Sequence, residues 1–240
     1  MKGCNLYDSP AFDDVTGGIR RPGGFRITQR ALEFCDFPKE AELLDLGCGN
    51  GATVEYIEKN FPYTCSGIDL SPFLIEEGLK KSPGLHLFVG DVENIPFEDS
   101  TMDGILAECS FCLMKNKPLA LKEIKRVLKP HGKLIISDMY IRDKRGYDVV
   151  KNSSGKNCFV NALIIEELEI MLENMGFEID LFENHTNELK SMIGKMIMEY
   201  GSTKAFFEVI TNNSTECENT YNLSKKLKLG YFLCVAKIKP

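Results

Sequence analysis

Apolar residues fall in short runs separated by amphipathic stretches, and the alternation is regular over the first two thirds of the chain. Residues 42–46, 64–69, 85–89, 102–107 and 133–140 read as strands, short and apolar enough to be buried on both faces. Between them, residues 52–60, 72–80 and 118–128 repeat apolar positions at helical spacing. A leading helix is expected over 23–37, where Phe25, Ala31, Leu32 and Phe34 share a face and Pro38 closes it. Strand and helix taking turns in this way predict a parallel sheet with right-handed crossovers and helices on both faces.

The last third reads differently. Residues 141–157 are polar and rich in turn formers, an excursion over the sheet edge. Helical spacing resumes at 164–175, Gly176 stops it, and a strand follows over 177–183. Residues 186–210 place Leu189, Met192, Ile193, Met196 and Ile197 on one helical face, read as core of a cap in preference to pocket wall. Residues 211–220 are expected to be a polar loop. Residues 177–183 and 231–237 then pair as an antiparallel hairpin.

At 240 residues one α/β domain with decoration is expected over 1–240. With 29 basic and 35 acidic residues the formal charge is −6, so no global positive field favours nucleic acid. The Met1–Asn5 start lacks the apolar core of a signal peptide, and no apolar run approaches the roughly 20 residues of a membrane helix. A cytoplasmic chain acting away from membranes, as monomer or homodimer, is expected. Nine cysteines are many, but Cys48, Cys65 and Cys234 sit in apolar or glycine-turn settings that suit small buried thiols better than disulfides.

The chemistry concentrates in Leu43-Leu44-Asp45-Leu46-Gly47-Cys48-Gly49-Asn50-Gly51, a buried strand turning sharply into a helix. Gly47, Gly49 and Gly51 let backbone pass close to a ligand at the helix N-terminus. Twenty residues after Gly49, Asp69 ends a second strand, where a carboxylate can accept from both hydroxyls of a ribose. Asp91, after the third strand, can hold an adenine amino group. A nucleoside-like cofactor follows. No Gly-Lys-Ser/Thr is present for a phosphate loop, whereas Gly47-x-Gly49-x-x-Ala52 also fits a permissive dinucleotide fingerprint, so NAD stays in view. The second acid at Asp91 and the antiparallel tail count against it.

DLGCGNG, GIDLS, GDVENIPF and the turn Val127-Leu128-Lys129-Pro130-His131-Gly132-Lys133-Leu134 together resemble the class I S-adenosylmethionine (SAM) methyltransferases, in motif-bearing detail over residues 30–185. Within that superfamily the chain is similar to enzymes that methylate quinones and other small metabolites. Those usually read Leu-x-Pro-Gly-Gly where this chain has Leu128-Lys129-Pro130-His131-Gly132. The resemblance implies a Rossmann-like seven-stranded sheet of order 3-2-1-4-5-7-6 with the last strand antiparallel. It implies SAM as cofactor and a small-molecule acceptor. Asp45 would orient the glycine loop and the cofactor's amino end, and Gly47, Cys48, Gly49 and Gly51 would line it. Asp69 with Leu70 would take the ribose, and Asp91 with Val92 the adenine.

The strand-4 end faces the transferring methyl in such enzymes and here reads Ala107-Glu108-Cys109-Ser110-Phe111-Cys112. No Asn/Asp-Pro-Pro-Tyr/Phe motif is present, which argues against methylation of an exocyclic amine on a base or on glutamine. Glu108 can accept a substrate proton or bind an amine of substrate or cofactor. Cys109 and Cys112 form a lone Cys-x-x-Cys, too little for a metal site. Cys109 and Cys158-Phe159-Val160-Asn161-Ala162-Leu163 also resemble segments of arsenite methyltransferases, whose thiolates hold a soft As(III) acceptor, although the further cysteine of those enzymes has no counterpart in residues 52–60. His185 is a candidate base, while His86 and His131 look structural or remote. Residues 1–37, with Arg20 and Arg21 among glycines, are read as a lid and leading helix, Arg21 pairing with a carboxylate of cofactor or substrate. Residues 141–163 and 185–228 are read as cap insertions. A SAM-binding protein without transfer activity is the rival from another class.

Overall fold

The computed structural model describes residues 15–151, 158, 161–210 and 215–239, with the side chains of 144, 145, 149, 151 and 215–220 outside that description. Strands β1 (Glu42–Leu46), β2 (Thr64–Asp69), β3 (His86–Val89), β4 (Met102–Glu108), β5 (Leu128–Ile141), β6 (Phe177–Asn184) and β7 (Leu229–Ile238) form one sheet. Their order is β3-β2-β1-β4-β5-β7-β6, as the resemblance implies. The first five pair in parallel, and β7 runs antiparallel to both β5 and β6.

Alternation along the strands divides the core into two layers. Leu43 and Leu106 face the layer shared with α1 (Phe25–Cys35) and α2 (Ala52–Asn60), through Ile27, Leu32, Val54 and Ile57. Leu44, Leu46, Ile105 and Ala107 point the other way, against Leu121 and Ile124 of α4 (Lys117–Val127) and Leu168 and Leu172 of α6 (Ile165–Asn174). A strand buried on both faces has no face for water, which is why β1 and β4 are mostly apolar on both sides and keep their buried acids, Asp45 and Glu108, at or next to their C-terminal ends. Helix starts follow local chemistry. The Ser71 hydroxyl accepts from Leu74 N ahead of α3 (Pro72–Lys81), and Asn116 Oδ1 accepts from Leu119 N ahead of α4. Each helix has proline in its first turn, where no N–H is needed.

Three expectations need correction. Strand 5 begins at Leu128, not Lys133: Met102 pairs with Leu128 and Gly104 with Lys133, so residues 129–132 are taken up in a bulge that accommodates Pro130. The polar stretch after β5 contains α5 (Lys144–Lys151), capped by Asp143 Oδ1 accepting from Gly146 N at 2.7 Å, with Val150 buried. Its apolar residues are only Tyr147, Val149 and Val150, too few to outweigh the polar composition. The expected helix over 186–210 is two, α7 (Thr186–Tyr200) and α8 (Thr203–Ile210), parted at Gly201 with φ 76°, and α9 (Thr215–Lys226) occupies most of the expected polar loop. No helix among the described residues is long and apolar enough to cross a membrane.

Candidate functional site

The chain leaves β1 toward β2 on one side and β4 toward β5 on the other, so the sheet splits its direction between β1 and β4. Loops at the C-terminal ends of such strands diverge and leave a crevice. There the structure has a cavity of about 430 Å³, walled by the β1–α2 turn, the tip of β2, Gly90 and Val92 after β3, the end of β4, and residues 18–21 folded over it. The volume falls in the range of small-molecule sites.

The glycine turn is held from three sides. Gly47 and Cys48 donate to the Ile68 carbonyl at 2.8 and 3.1 Å, and Gly49 N donates to Asp69 Oδ2 at 2.9 Å. Ser110 Oγ donates to Leu46 O at 2.6 Å from the β4 side. Gly47 has φ 73°, and a Cβ there would lie 2.6 Å from Ser110 Cβ, so no other residue fits. Gly49, at φ 55°, has nothing within 4 Å of a notional Cβ: its open side is the cavity.

Asp69 accepts from Gly49 N and, through Oδ1, from Ser71 N at 2.8 Å. It lines the cavity with Cys48, exposed Leu70 and Val92. The remaining expected binding residues stand further back. Asp45 is buried behind the turn, 3 % exposed and outside the lining; burial, with the Glu108 charge adding and Arg21 opposing, raises its carboxyl to about 8. Gly51 caps α2 and packs on Leu87. Asp91 is exposed, does not line the cavity, and accepts from Glu93 N at 3.0 Å, the turn-capping role common for Asp before a turn.

Arg21 does meet a carboxylate, but the chain's own. Its Nη2 lies 2.8 Å from Glu108 Oε2, with side-chain exposures of 9 % and 2 %. Thr28 Oγ1 accepts from Arg21 at 2.8 Å and donates to Glu108 Oε1 at 2.8 Å; Thr53 Oγ1 donates to Glu108 Oε2 at 3.2 Å. Arg21 Nε, buried, has no hydrogen-bond partner. Both Arg21 and Glu108 line the cavity, so this network ties residues 18–21 to the end of β4 and forms one wall. Thr28 and Thr53 give no sign of this in sequence, since each is one polar residue on a helix face.

A second cavity of about 390 Å³ adjoins, and the two share Arg20 and Cys109 as wall. Met192, Ile193 and Met196 line it with Phe206, Phe207 and Leu227. The Met-rich face is therefore wall as well as core, because residues of α8 and α9 line the same hollow as those of α7. His185 lines neither cavity; its ring sits 3.1 Å from Glu183, which also accepts from Arg30 at 2.6 Å. Burial tends to raise the Glu183 carboxyl, and the Arg30 and His185 hydrogen bonds outweigh it, leaving it lowered.

Cys109, in a left-handed conformation at φ 57°, has its Sγ 3.9 Å from Cys158 Sγ. With an Asp138 oxygen, their ligand atoms all lie within 4.8 Å of one another, a grouping the lone Cys-x-x-Cys did not foreshadow. A hydrogen bond with Cys158, then burial, holds the Cys109 thiol well above its usual value. Burial lifts Cys112 to about 12 and Asp138 to about 6, the latter against N–H groups donated by Cys112 and Met139.

Residues 44–136 match a family described as "Methyltransferase domain". A phosphoethanolamine N-methyltransferase of Triticum aestivum is 26 % identical over 207 residues, 79 % of this chain and 38 % of that protein. The chain thus spans well under half the length of that relative. Among solved structures, a [4+2]-cyclase, SpnF, superposes with TM-score 0.77 at 20 % identity over 98 % of this chain and 93 % of its own. A phosphoethanolamine N-methyltransferase 2 of Haemonchus contortus, in complex with phosphomonomethylethanolamine and S-adenosylhomocysteine, superposes with TM-score 0.73 at 18 % identity over 96 % of this chain and 56 % of that one.

Proposed function

We propose that this chain, which belongs to the class I SAM-dependent methyltransferases, transfers a methyl group from SAM to a small-molecule acceptor held in the second cavity. The observation that carries the reading is the pair of cavities meeting at Arg20 and Cys109: a cofactor-sized hollow at the switch point opens beside an apolar one. A SAM-binding protein without transfer activity has no need of the second. The SpnF likeness is a reminder that the fold alone does not choose the reaction.

The residues present suit the cofactor. Each Asp69 oxygen accepts one backbone N–H and keeps a lone pair for a ribose hydroxyl. Gly49 leaves its open side to the ligand, Leu70 and Val92 offer apolar surface to a base, and Asp45 lies behind the turn, where it would act through the loop. Of the pair Asp91 and Val92 expected beside the base, Val92 lines the cavity, with Gly90, and Asp91 does not. When bound, SAM supplies a methyl group already activated by a sulfonium. What remains for the chain is alignment and exclusion of water. Residues 18–21, bound to Glu108 through Arg21, cover the cofactor hollow, and a fixed in-line approach removes much of the entropic barrier. Both Glu108 oxygens are occupied by Arg21, Thr28 and Thr53, so we assign Glu108 to positioning and not to proton transfer. His185, outside both cavities, is not assigned as a base. The cytoplasm suits a chain whose described cysteines form no disulfide.

Methyl-labelled SAM incubated with the protein and a small-molecule extract should yield a labelled low-mass product, lost in the Asp69→Ala variant. Tight S-adenosylhomocysteine binding with no labelled product from any extract would replace transfer by binding alone.

A second reading rests on the Cys109–Cys158 approach of 3.9 Å, which suits two thiols on one thiophilic atom. The acceptor would then be a trivalent metalloid such as arsenite, each thiol proton leaving with a displaced hydroxide as water. Mass spectrometry of products from arsenite with a thiol reductant tests it, and no methylated arsenic would remove it.

A further inference from the structure

The lining of the second cavity is divided by charge. Its walls are apolar, from Met139, Leu189, Met192, Met196, Phe206 and Phe207, with Cys109 on the side shared with the cofactor cavity. Its charged lining is wholly basic: Arg142, Lys190, Lys225 and Lys228 contribute, Arg20 stands at the junction, and no Asp or Glu is among the lining residues that the structure describes, the other polar ones being the neutral Thr186, Thr203, Tyr221 and Ser224. The four outer cations come from the residue after β5, from α7, from α9 and from the residue before β7, and all four line this one cavity. Arg142 and Lys228 are held together, since Arg142 N donates to Lys228 O at 2.8 Å. All four side chains are exposed. Lys225 lies over the Tyr221 ring at 4.3 Å, which braces it beside the opening. Lys228 has Asp143 at 3.6 Å, a loose and solvent-screened pair that leaves donors over.

In a chain whose formal charge is −6, four cations around one apolar mouth go against the overall field. A neutral apolar acceptor would gain nothing from them, and a cationic one would be repelled. We propose that the second cavity is built for an amphipathic anion: an apolar body seated among the methionine and phenylalanine side chains, with a carboxylate or phosphate held at the Arg142–Lys190–Lys225–Lys228 rim. The end of the body away from the head group then points inward, toward Cys109 and the cofactor cavity, and in an acceptor that end carries the nucleophilic atom that takes the methyl group. This deepens the methyl-transfer reading and rests on it for the ligand's role as acceptor, though the charge division of the cavity stands without it. Exposed cations exchange water for a ligand oxygen at little cost, while the apolar wall supplies most of the binding free energy through area removed from water.

The test is calorimetric, on the whole protein saturated with S-adenosylhomocysteine, using four ligands with one ten-carbon body: decanoate, decyl phosphate, decanol and decylammonium. The anions are expected to bind at least tenfold more tightly than decanol, with decylammonium weakest, and the gap between anion and alcohol should narrow as salt rises. The ranking of decanoate against decyl phosphate tells which head group the rim prefers. The double variant Arg142→Glu/Lys190→Glu, both changes at exposed positions, should bring decanoate down to the decanol level while S-adenosylhomocysteine binding holds. Equal affinity for decanol and the anions, or anion binding unmoved by the double variant, overturns the proposal. Failure of S-adenosylhomocysteine itself to bind strikes the methyl-transfer reading instead, and the two failures are told apart in the same titrations.

Discussion

Each Asp69 oxygen already serves its own turn, Oδ2 to Gly49 N and Oδ1 to Ser71 N, so the side chain shapes the loop while lining the cavity. Asp69→Ala should weaken S-adenosylhomocysteine by at least about tenfold, a lost charged hydrogen bond being worth roughly 1.5 to 3 kcal/mol; unchanged affinity in a folded variant would refute the assignment. Gly47→Ala puts a Cβ 2.6 Å from Ser110 Cβ on a left-handed backbone. The conformation alone costs about 1–2 kcal/mol, and the clash displaces the turn, so melting temperature and cofactor affinity should fall together. Asp45 allows a pH test. Its folded value, about 8, lies above the ordinary 3.8, so the folded state keeps a proton that the unfolded chain releases. The stability it contributes is complete below about pH 4 and is lost as pH rises toward 8. Without cofactor, Asp45→Asn should therefore gain on the parent protein in melting temperature between pH 5 and pH 8. A constant difference would mean that Asp45 is ionised throughout. The place of Asp69 on the cavity wall was legible because an acid at fixed distance from a glycine turn is written in one stretch of chain, while Asp45 stands behind that turn, outside the lining. The Arg21 partner was not legible: Glu108 is 87 positions away, and only the packing of residues 18–21 on β4 brings the two within 2.8 Å.

Elements show the same division. β1, β2 and α2 fall where periodicity placed them, because strands buried on both faces have few alternatives. α5 and α9 were missed, since their composition is polar and packing against the cap decides them. The bulge of residues 129–132 was missed because register belongs to two strands at once. The lid proposed for residues 18–21 is the element whose role is most exposed to test. Arg21, Thr28, Thr53 and Glu108 join residues 18–21 to α1, α2 and β4, and removing one partner of a buried ion pair costs about 3–5 kcal/mol. Glu108→Gln should let trypsin cut after Arg20 at least tenfold faster, followed by mass spectrometry of the fragments. Cleavage at the parental rate would show that the lid is held by something other than this network.

For the molecule as a whole, a ligand that binds only the folded state stabilises it by an amount set by concentration: about 2.7 kcal/mol at one hundred times the dissociation constant. In a chain of this size that amounts to roughly 5–10 °C in melting temperature. S-adenosylhomocysteine should produce such a shift and NADH none; the reverse would return the glycine turn to a dinucleotide reading. The resemblance to class I methyltransferases implied the order of the strands; the pattern of the sequence itself reached the alternating strands, the helices on both faces and the glycine turn. They depend on local periodicity and on motifs contiguous in the chain, which short-range sterics and burial translate directly into structure. The second cavity, its basic rim and the internal partner of Arg21 depended on tertiary structure alone, whereas the pairing of Cys109 with Cys158 was implied by resemblance and only its 3.9 Å distance came from the structure. Each joins residues from distant elements whose side chains have no common period, so only the packing of the cap on the sheet decides which of them meet.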